Sequence, residues 1–219
     1  MYQHQFIDGR KIDLPLGKVV CVGRNYLEHI QELNNEVPNE PLLFIKPNTA
    51  LCDLAEPIVI PKAVGSCHNE LEIAILIGQR LNHCNEKQAK QCIIGVGLGL
   101  DLTLRDVQDR LKAKGQPWER AKSFDASCPM SVFVPAQEVD IERNIEFSLS
   151  VNNTVRQQGN SAHMMHSILS LVENITKTFT LLPGDIVLTG TPKGVGPLNA
   201  GDDISVNLSQ HFSVQTRVV

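Results

Sequence analysis

Two carboxylates, Glu70 and Glu72, lie two residues apart at the start of an apolar run, and a third, Asp101, follows the next Gly-rich apolar run. Side chains two residues apart on a strand point to the same face. The run at 73–77 is continuously apolar, which predicts a buried strand. Ionised carboxylates at the mouth of a buried strand are costly unless a counter-charge neutralises them. Because a hard divalent cation takes oxygen ligands, the trio predicts a metal site.

The alternative for these carboxylates is a solvated strand edge, with Asp101 as a turn or cap residue. The alternation of the strand argues against this alternative, because the face that carries Glu70 and Glu72 continues as Ala74 and Leu76. The three carboxylates together therefore favour a metal site.

A second pair, His29 and Glu32, has the i, i+3 spacing that places two side chains on one face of a helix. In the functional interpretation, Glu32 orients and polarises His29, or takes a proton through a water molecule. A surface pair is the simpler interpretation, and the spacing alone favours it.

Five basic residues stand next to Gly, Pro or polar clusters: Arg24, Lys46, Arg105, Lys122 and Lys193. Each alone is most simply a solvated charge, whereas together they could pair with an anionic substrate. The segment 189–196 reads TGTPKGVG and lacks the spacing of a Walker phosphate-binding loop. It is either a turn that ends a strand or a group of backbone amides that, with the Thr191 hydroxyl, suits a carboxylate.

The composition is that of a globular domain without nucleic-acid or membrane partners. The chain has 219 residues and a formal net charge of -4, which argues against nucleic acid. No apolar run approaches the roughly 20 residues that span a bilayer, and 1–14 lacks the apolar stretch of a secretory signal. We therefore expect a cytoplasmic protein. The six cysteines form no C-x-x-C pair, and we expect them to be reduced and structural.

Mostly short strands must position these residues. Apolar runs and alternation predict strands at 18–23, 42–45, 70–78, 93–103, 145–151, 185–189, 203–208 and 213–218. Helical spacing predicts helices at 25–34, 86–92, 105–114 and 162–179. Glycines at 95, 97 and 99 leave one strand face bare, so another segment should approach it closely. Strands outnumber the scattered helices, which predicts a β-rich α+β fold.

Six ordered motifs resemble those of the fumarylacetoacetate hydrolase family, most closely its small single-domain acylpyruvase and oxaloacetate decarboxylase branch. They are GRNYxxHxxE at 23–32, LFIKP at 43–47, HxELE at 68–72, DLTxRDVQ at 101–108, PWxxAKSFD at 117–125 and LTGTPxGVG at 188–196. The resemblance covers the chain from about Lys18 onward. It implies a single catalytic domain over 1–219 with a short N-terminal extension over about 1–16. The implied fold is like that of the family's C-terminal domain, with mixed β-sheets rolled around the metal site and few short helices.

The resemblance also implies a Mg2+ or Mn2+ ion and a homodimer. By position in the motifs, the metal ligands are Glu70, Glu72 and Asp101. The catalytic residues are His29 and Glu32, on a segment that orders as a lid in relatives, and Lys122. Substrate-binding positions are Arg105, Gln108 and Thr191, and the basic group adds Arg24. Relatives often carry a second histidine where Asn69 stands, which leaves the ligands intact but puts the hydrogen bonds behind them in question.

These residues predict a divalent-metal-dependent hydrolase that cleaves the C3–C4 bond of acylpyruvate-type 2,4-dioxo acids. The C1 carboxylate and C2 oxygen of this small 2-oxo acid would chelate the ion, and cleavage would give a metal-bound pyruvate enolate. The same enolate would serve oxaloacetate decarboxylation and enol-oxaloacetate tautomerisation. Three carboxylates and one divalent ion leave the site about one unit negative, so Lys122 and Arg105 must compensate if the substrate is a dianion.

Three alternatives remain open. One is an isomerase or decarboxylase of aromatic catabolism that acts on longer, unsaturated 2-oxo dicarboxylates. Another is a module that binds a metal or an organic acid without turnover, which the intact pair His29 and Glu32 argues against, since a pure binder needs no catalytic pair. The third is a calcium ion that only stabilises the fold.

Overall fold

The computed structural model describes residues 2–33 and 36–219. Within these ranges the α-helices are α1 (Leu27–Glu32), α2 (Glu86–Cys92), α3 (Arg105–Ala113), α4 (Glu119–Lys122) and α5 (Ile168–Thr178). The strands are β1 (Val19–Gly23), β2 (Leu42–Lys46), β3 (Leu51–Asp53), β4 (Cys67–Asn69), β5 (Leu71–Ile77), β6 (Ile93–Leu100), β7 (Thr103–Leu104), β8 (Cys128–Met130), β9 (Val134–Pro135), β10 (Glu146–Val151), β11 (Thr154–Asn160), β12 (Ile186–Leu188), β13 (Gly196–Pro197), β14 (Asp203–Leu208) and β15 (Phe212–Arg217).

The main sheet has eight strands, in the order β2-β1-β12-β5-β6-β8-β3, with β9 also paired to β6. It is mixed, because β1 pairs in parallel with β12 and β3 with β8, whereas β5 and β6 run antiparallel. A second, four-stranded sheet has the order β11-β10-β14-β15, and a third contains β13, β4 and β7. The antiparallel pair β5 and β6 therefore lies at the middle of the main sheet, where both of its faces are covered.

Alternate side chains of β5 enter two different cores. Ile73 and Ile75 belong to the larger core, which also receives the apolar faces of α2 and α5 and of the four-stranded sheet. Ala74 and Leu76 belong to a smaller core on the other face, which residues of the N-terminal segment such as Ile12 cover. The predicted alternation is confirmed by this division, and the predicted buried strand is confirmed because all seven residues of β5 are buried.

Residues 130–133, which continue from strand β8, approach the three glycines of β6 closely. A Cβ built on Gly95 would lie 2.9 Å from the Cβ of Phe133, and one on Gly97 would lie 2.9 Å from the carbonyl oxygen of Val132. A Cβ on Gly99 would lie 2.7 Å from the Sδ of Met130. The close approach predicted from the alternating glycines is therefore confirmed.

Several predicted boundaries differ from the structure. The helix predicted at 162–179 begins only at Ile168, because Ser167 accepts a hydrogen bond from the Ser170 amide and caps it, and Ser161–His163 forms a separate 3-10 turn. The strand predicted at 93–103 ends at Leu100, where the chain turns to place Asp101 in the site. Of the helix predicted at 25–34, the structure contains Leu27–Glu32, and Asn34 lies outside the described residues. In the part of the chain that is described, none of the helices has the length and apolar character needed to cross a membrane.

Candidate active site

The three predicted carboxylates meet at one end of β5 and β6. The amide of Asp101 donates a hydrogen bond of 2.8 Å to the carbonyl oxygen of Glu70, so the two residues lie side by side where the strands end. One carboxylate oxygen each of Glu70, Glu72 and Asp101 lies within 4.8 Å of the others, and all three side chains are buried. The spacing in the sequence and the antiparallel register together bring this trio into one cluster.

Lys122 lies inside this cluster of carboxylates. Its Nζ donates hydrogen bonds to Glu70 Oε2 at 2.8 Å, to Asp101 Oδ2 at 2.6 Å and to Thr103 Oγ1 at 2.7 Å. Burial alone would lower the pKa of Lys122, but Asp101 and Glu70 raise it above its ordinary value. The ammonium group is therefore charged, and it holds two of the three carboxylates in place.

Lys46 is a second buried cation at the site, and sequence reasoning had treated it only as one of five basic residues. Its side chain is fully buried, and its Nζ lies 2.8 Å from Asp101 Oδ1. It also donates hydrogen bonds to the carbonyl oxygens of Leu102, Lys122 and Ser127. The role of Lys46 could have been predicted from its place at the end of the apolar strand LLFIK, because a lysine that is buried there needs a carboxylate partner.

Arg105 and Gln108 approach the carboxylates from α3. Nη2 of Arg105 forms an ion pair with Glu70 Oε1, and its Nη1 donates to Gln108 Oε1 at 2.6 Å. Burial would raise the pKa of Glu70, but Lys122 and Arg105 hold it below its ordinary value. Both predicted substrate-binding positions on this helix therefore lie beside a predicted metal ligand.

Glu72 has a different environment from Glu70. Its Oε2 accepts a hydrogen bond of 2.7 Å from the Gly190 amide, and its side chain is 1% exposed. Burial, together with Asp101 and Glu70, raises the pKa of Glu72 well above its ordinary value. A cation bound between the three carboxylates would relieve this repulsion.

His29 and Glu32 form a pair on α1, above the carboxylate cluster. His29 Nδ1 lies 3.3 Å from Glu32 Oε2, and Glu32 also accepts a hydrogen bond of 3.0 Å from the Gly194 amide. The side chain of His29 is buried, so the interpretation as a solvated surface pair does not describe it. Burial lowers the pKa of His29, although Glu70 and Glu32 oppose the shift, so its imidazole is neutral near pH 7.

The segment 189–196 positions two carboxylates of the protein itself. Gly190 has φ +97°, and a Cβ there would lie 2.7 Å from the Cβ of Asn25, so the turn requires glycine. The amide of Gly190 holds Glu72 and the amide of Gly194 holds Glu32. This loop therefore connects the carboxylate cluster to the helix above it.

Thr191 and Asn69 are joined by a residue that sequence reasoning missed, Gln157. Its Nε2 donates to Thr191 Oγ1 at 2.8 Å, and its Oε1 accepts from Asn69 Nδ2 and from the Leu71 amide, both at 2.9 Å. The Thr191 hydroxyl in turn donates to the Leu71 carbonyl oxygen at 2.8 Å. Asn69 is thus linked through Gln157 to the backbone of β5, next to the predicted metal ligands Glu70 and Glu72. Gln157 lies on the polar strand β11, which has no apolar pattern from which a strand could be predicted.

These residues surround a cavity of about 40 Å³. Its walls include His29 and Leu33 from the segment of α1, and Phe44 and Trp118, whose rings meet edge to face at a centroid distance of 6.0 Å. Arg24 also lines it and donates to the carbonyl oxygen of Glu36 at 3.1 Å. His29 and Leu33 place the α1 segment along one wall of this cavity.

Not every predicted basic residue belongs to the cavity. Lys193 is exposed and pairs at 3.0 Å with Glu28, which is also exposed. Its interpretation as a solvated charge fits the structure, whereas Lys46 and Lys122 are buried.

The carboxylate cluster fits a hard divalent cation. Its donors are buried carboxylate oxygens, the ligand type that Mg2+ and Mn2+ prefer. Asp101 Oδ1 is buried and, among the described residues, accepts no hydrogen bond of normal geometry despite its nearness to Lys46. Lone pairs left over on a buried carboxylate are what a cation would occupy.

Comparisons with known proteins identify the family of this chain. Residues 18–219 match the fumarylacetoacetate (FAA) hydrolase C-terminal family model. The chain is 53% identical over 220 residues to oxaloacetate tautomerase YcgM of Escherichia coli (strain K12), covering 100% of both chains. It is 43% identical over 200 residues to the mitochondrial oxaloacetate tautomerase FAHD1 of Bos taurus, covering 91% of this chain and 90% of that one.

A solved structure shows the same fold. Fumarylpyruvate hydrolase from Pseudomonas aeruginosa, in complex with Mn2+ and pyruvate, superposes with a TM-score of 0.92 at 32% identity, covering 100% of this chain and 95% of that one. The predicted β-rich fold of the family's C-terminal domain is therefore confirmed. The chain belongs to the fumarylacetoacetate hydrolase family, which is a family of enzymes.

Proposed function

We propose that this protein is a divalent-metal-dependent enzyme that interconverts the keto and enol forms of oxaloacetate, with decarboxylation of the same substrate as a related reaction. The observation that carries this proposal is the set of buried charges around the carboxylate cluster. The tautomerases from Escherichia coli and Bos taurus, at 53% and 43% identity, support it.

The buried charges favour a substrate with two negative charges. The three carboxylates pair with three cations, Lys46, Lys122 and Arg105, so the charges within this cluster cancel when all of them are ionised. Metal ligands bind in the deprotonated form, and a divalent cation then leaves two positive charges. Oxaloacetate carries two carboxylates and would neutralise the site. Without Lys46 the count would fall to one positive charge. The negative site expected from the sequence counted only the three carboxylates and the ion, before any of the three cations.

The residues divide the work of moving one proton between C3 and the enol oxygen. When bound by Glu70, Glu72 and Asp101, Mg2+ or Mn2+ would supply a Lewis acid that stabilises negative charge on the 2-oxo group. His29 is neutral near pH 7 and lines the cavity, so it can take the proton from C3 and then, as the imidazolium, give that proton to the oxygen on C2. Glu32 holds the other side of the imidazole ring, and Lys122 adds a fixed positive charge.

The test follows the decay of enol-oxaloacetate by its absorbance, with Mg2+ and with EDTA, after subtraction of the rate with metal alone. We expect a metal-dependent rate that scales with enzyme concentration. Equal rates with and without the enzyme would refute the proposal.

A second candidate function is hydrolysis of acylpyruvates, and the hydrogen-bonded pair His29 and Glu32 favours it. In that reaction the pair would activate a water molecule that attacks the C4 carbonyl, after which the C3–C4 bond breaks and C3 takes a proton to give pyruvate. Metal-dependent pyruvate release from acetylpyruvate would support this function. The related fumarylpyruvate hydrolase, solved with Mn2+ and pyruvate, is a reason to run this acetylpyruvate assay beside the enol-oxaloacetate assay.

The length of the substrate, the identity of the ion, the oligomeric state and the location of the protein complete this proposal. The relatives at 53% and 43% identity are oxaloacetate tautomerases, which favours oxaloacetate over the longer dicarboxylates of aromatic catabolism. We propose Mg2+ or Mn2+ as the ion, a homodimer and a cytoplasmic location. Metal reconstitution, sedimentation of the purified protein and cell fractionation test these three proposals separately.

A further inference from the structure

Helix α3 presents a stripe of three polar side chains to the cavity. Arg105, Gln108 and Lys112 are spaced i, i+3 and i+7, which places them on one face, and all three line the cavity. Arg105 and Lys112 are seven residues apart, or about 10 Å along the helix axis at 1.5 Å per residue. The stripe therefore runs from the carboxylate cluster toward the outer part of the cavity.

The cations of this cavity have different partners. Arg105 is paired with Glu70, and Lys122 with Glu70 and Asp101. Lys112 has no carboxylate oxygen within 4.0 Å among the described residues, and its Nζ lies 5.4 Å from the centroid of the Trp118 ring. Burial, and then the nearby charge of Arg105, lowers its pKa. Lys112 is thus a half-buried cation that faces the cavity beside an aromatic ring and lacks a counter-ion.

We propose that Lys112 binds the carboxylate of the substrate that is farthest from the 2-oxo acid end, the C4 carboxylate of oxaloacetate. This inference rests on the proposed function, in which the 2-oxo acid end lies at the carboxylate cluster. The second carboxylate then needs a cation farther along the cavity, and Lys112 stands there. The face of Trp118 limits where the ammonium can go, so the charge stays directed at the ligand.

This assignment makes Lys112 a determinant of specificity. It distinguishes a dicarboxylate from a 2-oxo acid that has the same first two carbons but no distal charge. The 4-ethyl ester of oxaloacetate is such a compound, because it keeps the C1 carboxylate and the 2-oxo group and lacks the second carboxylate.

The test compares kcat/KM for keto–enol conversion of oxaloacetate and of its 4-ethyl ester in Lys112→Met. We expect the value for oxaloacetate to fall about 10- to 100-fold, as for the loss of a charge-assisted hydrogen bond. The value for the ester should not change, and Lys112→Arg should recover most of the activity on oxaloacetate. Lys114→Met is the matched control, because it removes the same charge from an exposed position just past the end of α3 and should affect neither substrate.

A binding measurement separates this inference from the proposed function. Calorimetry with the Mg2+-loaded protein compares malate with lactate, which share a carboxylate and a 2-oxygen but differ in the distal carboxylate. If the wild type turns over no oxaloacetate and Lys112→Met weakens malate alone, the function is wrong and the anion site stands. The assignment of Lys112 is overturned by a different result in an active wild type. That result is a Lys112→Met variant that lowers kcat/KM equally for oxaloacetate and its ester and weakens binding of malate and lactate equally, or that changes none of these values.

Discussion

The two sides of the cavity are built in opposite ways. The floor consists of five buried side chains, Glu70, Glu72, Asp101, Lys46 and Lys122. Ion pairs join four of them, and Glu72 accepts a hydrogen bond from the Gly190 amide. The lid is the six-residue helix α1, on which Leu27 and Glu28 are exposed and His29 and Ile30 are buried. The floor is held by buried ion pairs, whereas the ion pair that the lid makes with the loop 189–196 is exposed.

Two side chains of the lid contact the loop 189–196. Glu32 accepts a hydrogen bond from the Gly194 amide, and Glu28 forms an exposed ion pair with Lys193. An exposed ion pair contributes about 0–1 kcal/mol, whereas breaking a buried pair costs about 3–5 kcal/mol. We therefore expect floor substitutions to change stability or metal binding as well as chemistry, and lid substitutions to change chemistry alone.

Removal of a metal ligand from the floor should have the largest effect. We expect Asp101→Ala and Glu72→Ala each to lose both the bound ion and all activity, since each removes one of only three carboxylates in the cluster. Titration calorimetry with Mg2+ and the enol-oxaloacetate assay measure the two losses. Asp203→Ala is the matched control, because Asp203 is exposed and pairs with Arg217 far from the cluster. Full metal occupancy with unchanged activity in either floor variant would remove the trio from the site.

Loss of Lys46 tests whether the floor depends on buried cations. We expect Lys46→Met to lower the free energy of unfolding by about 3–5 kcal/mol, because Asp101 and three carbonyl oxygens lose a buried donor. Urea denaturation measures the change. Lys193→Met is the matched control, and its free energy of unfolding should change by about 1 kcal/mol or less. Equal stabilities of the two variants would contradict the contrast between floor and lid.

The sequence predicted the carboxylates of the floor better than its cations. Glu70 and Glu72 were placed by strand alternation, which depends on neighbours along the chain. The partners of Lys46 lie 55 or more positions away, on Asp101, Leu102 and Ser127, so no local pattern reveals them. Its position in the motif LFIKP marked the residue but not its contacts.

The same distinction between local pattern and distant partners explains the errors in the predicted strands and helices. The strands around the apolar runs were predicted, whereas β11, which reads TVRQQGN, has no alternating apolar pattern and was missed together with Gln157. The helix predicted at 162–179 failed at its start, because Ser167 caps the chain there and overrides the helical spacing before it. Local pattern predicted the longer elements that have an apolar face. Short elements such as the buried strand β8 and the helix α4 were missed, because two to four residues carry too little periodicity.

Loss of the histidine of the lid should separate chemistry from metal binding. We expect His29→Ala to bind Mg2+ as the wild type does, since the ligands lie in the floor, and to lose C–C cleavage of acetylpyruvate by about 100- to 10,000-fold. Calorimetry and pyruvate release measure the two properties on one preparation. Cleavage at the wild-type rate would remove His29 from the mechanism, and loss of metal binding would show that the lid and the floor are not independent.

The smallest effect that we expect comes from the other member of the pair. Glu32→Gln keeps the size of the side chain and removes its charge, and the reaction should slow by about tenfold, less than for loss of the base itself. Because the Glu32 carboxylate raises the pKa of His29, its loss should lower that pKa further. The imidazole acts as a base only when it is neutral, so the acid limb of the pH–rate profile should move to lower pH in the variant. A limb that moves to higher pH, or that stays in place, would mean that a group other than His29 takes the proton.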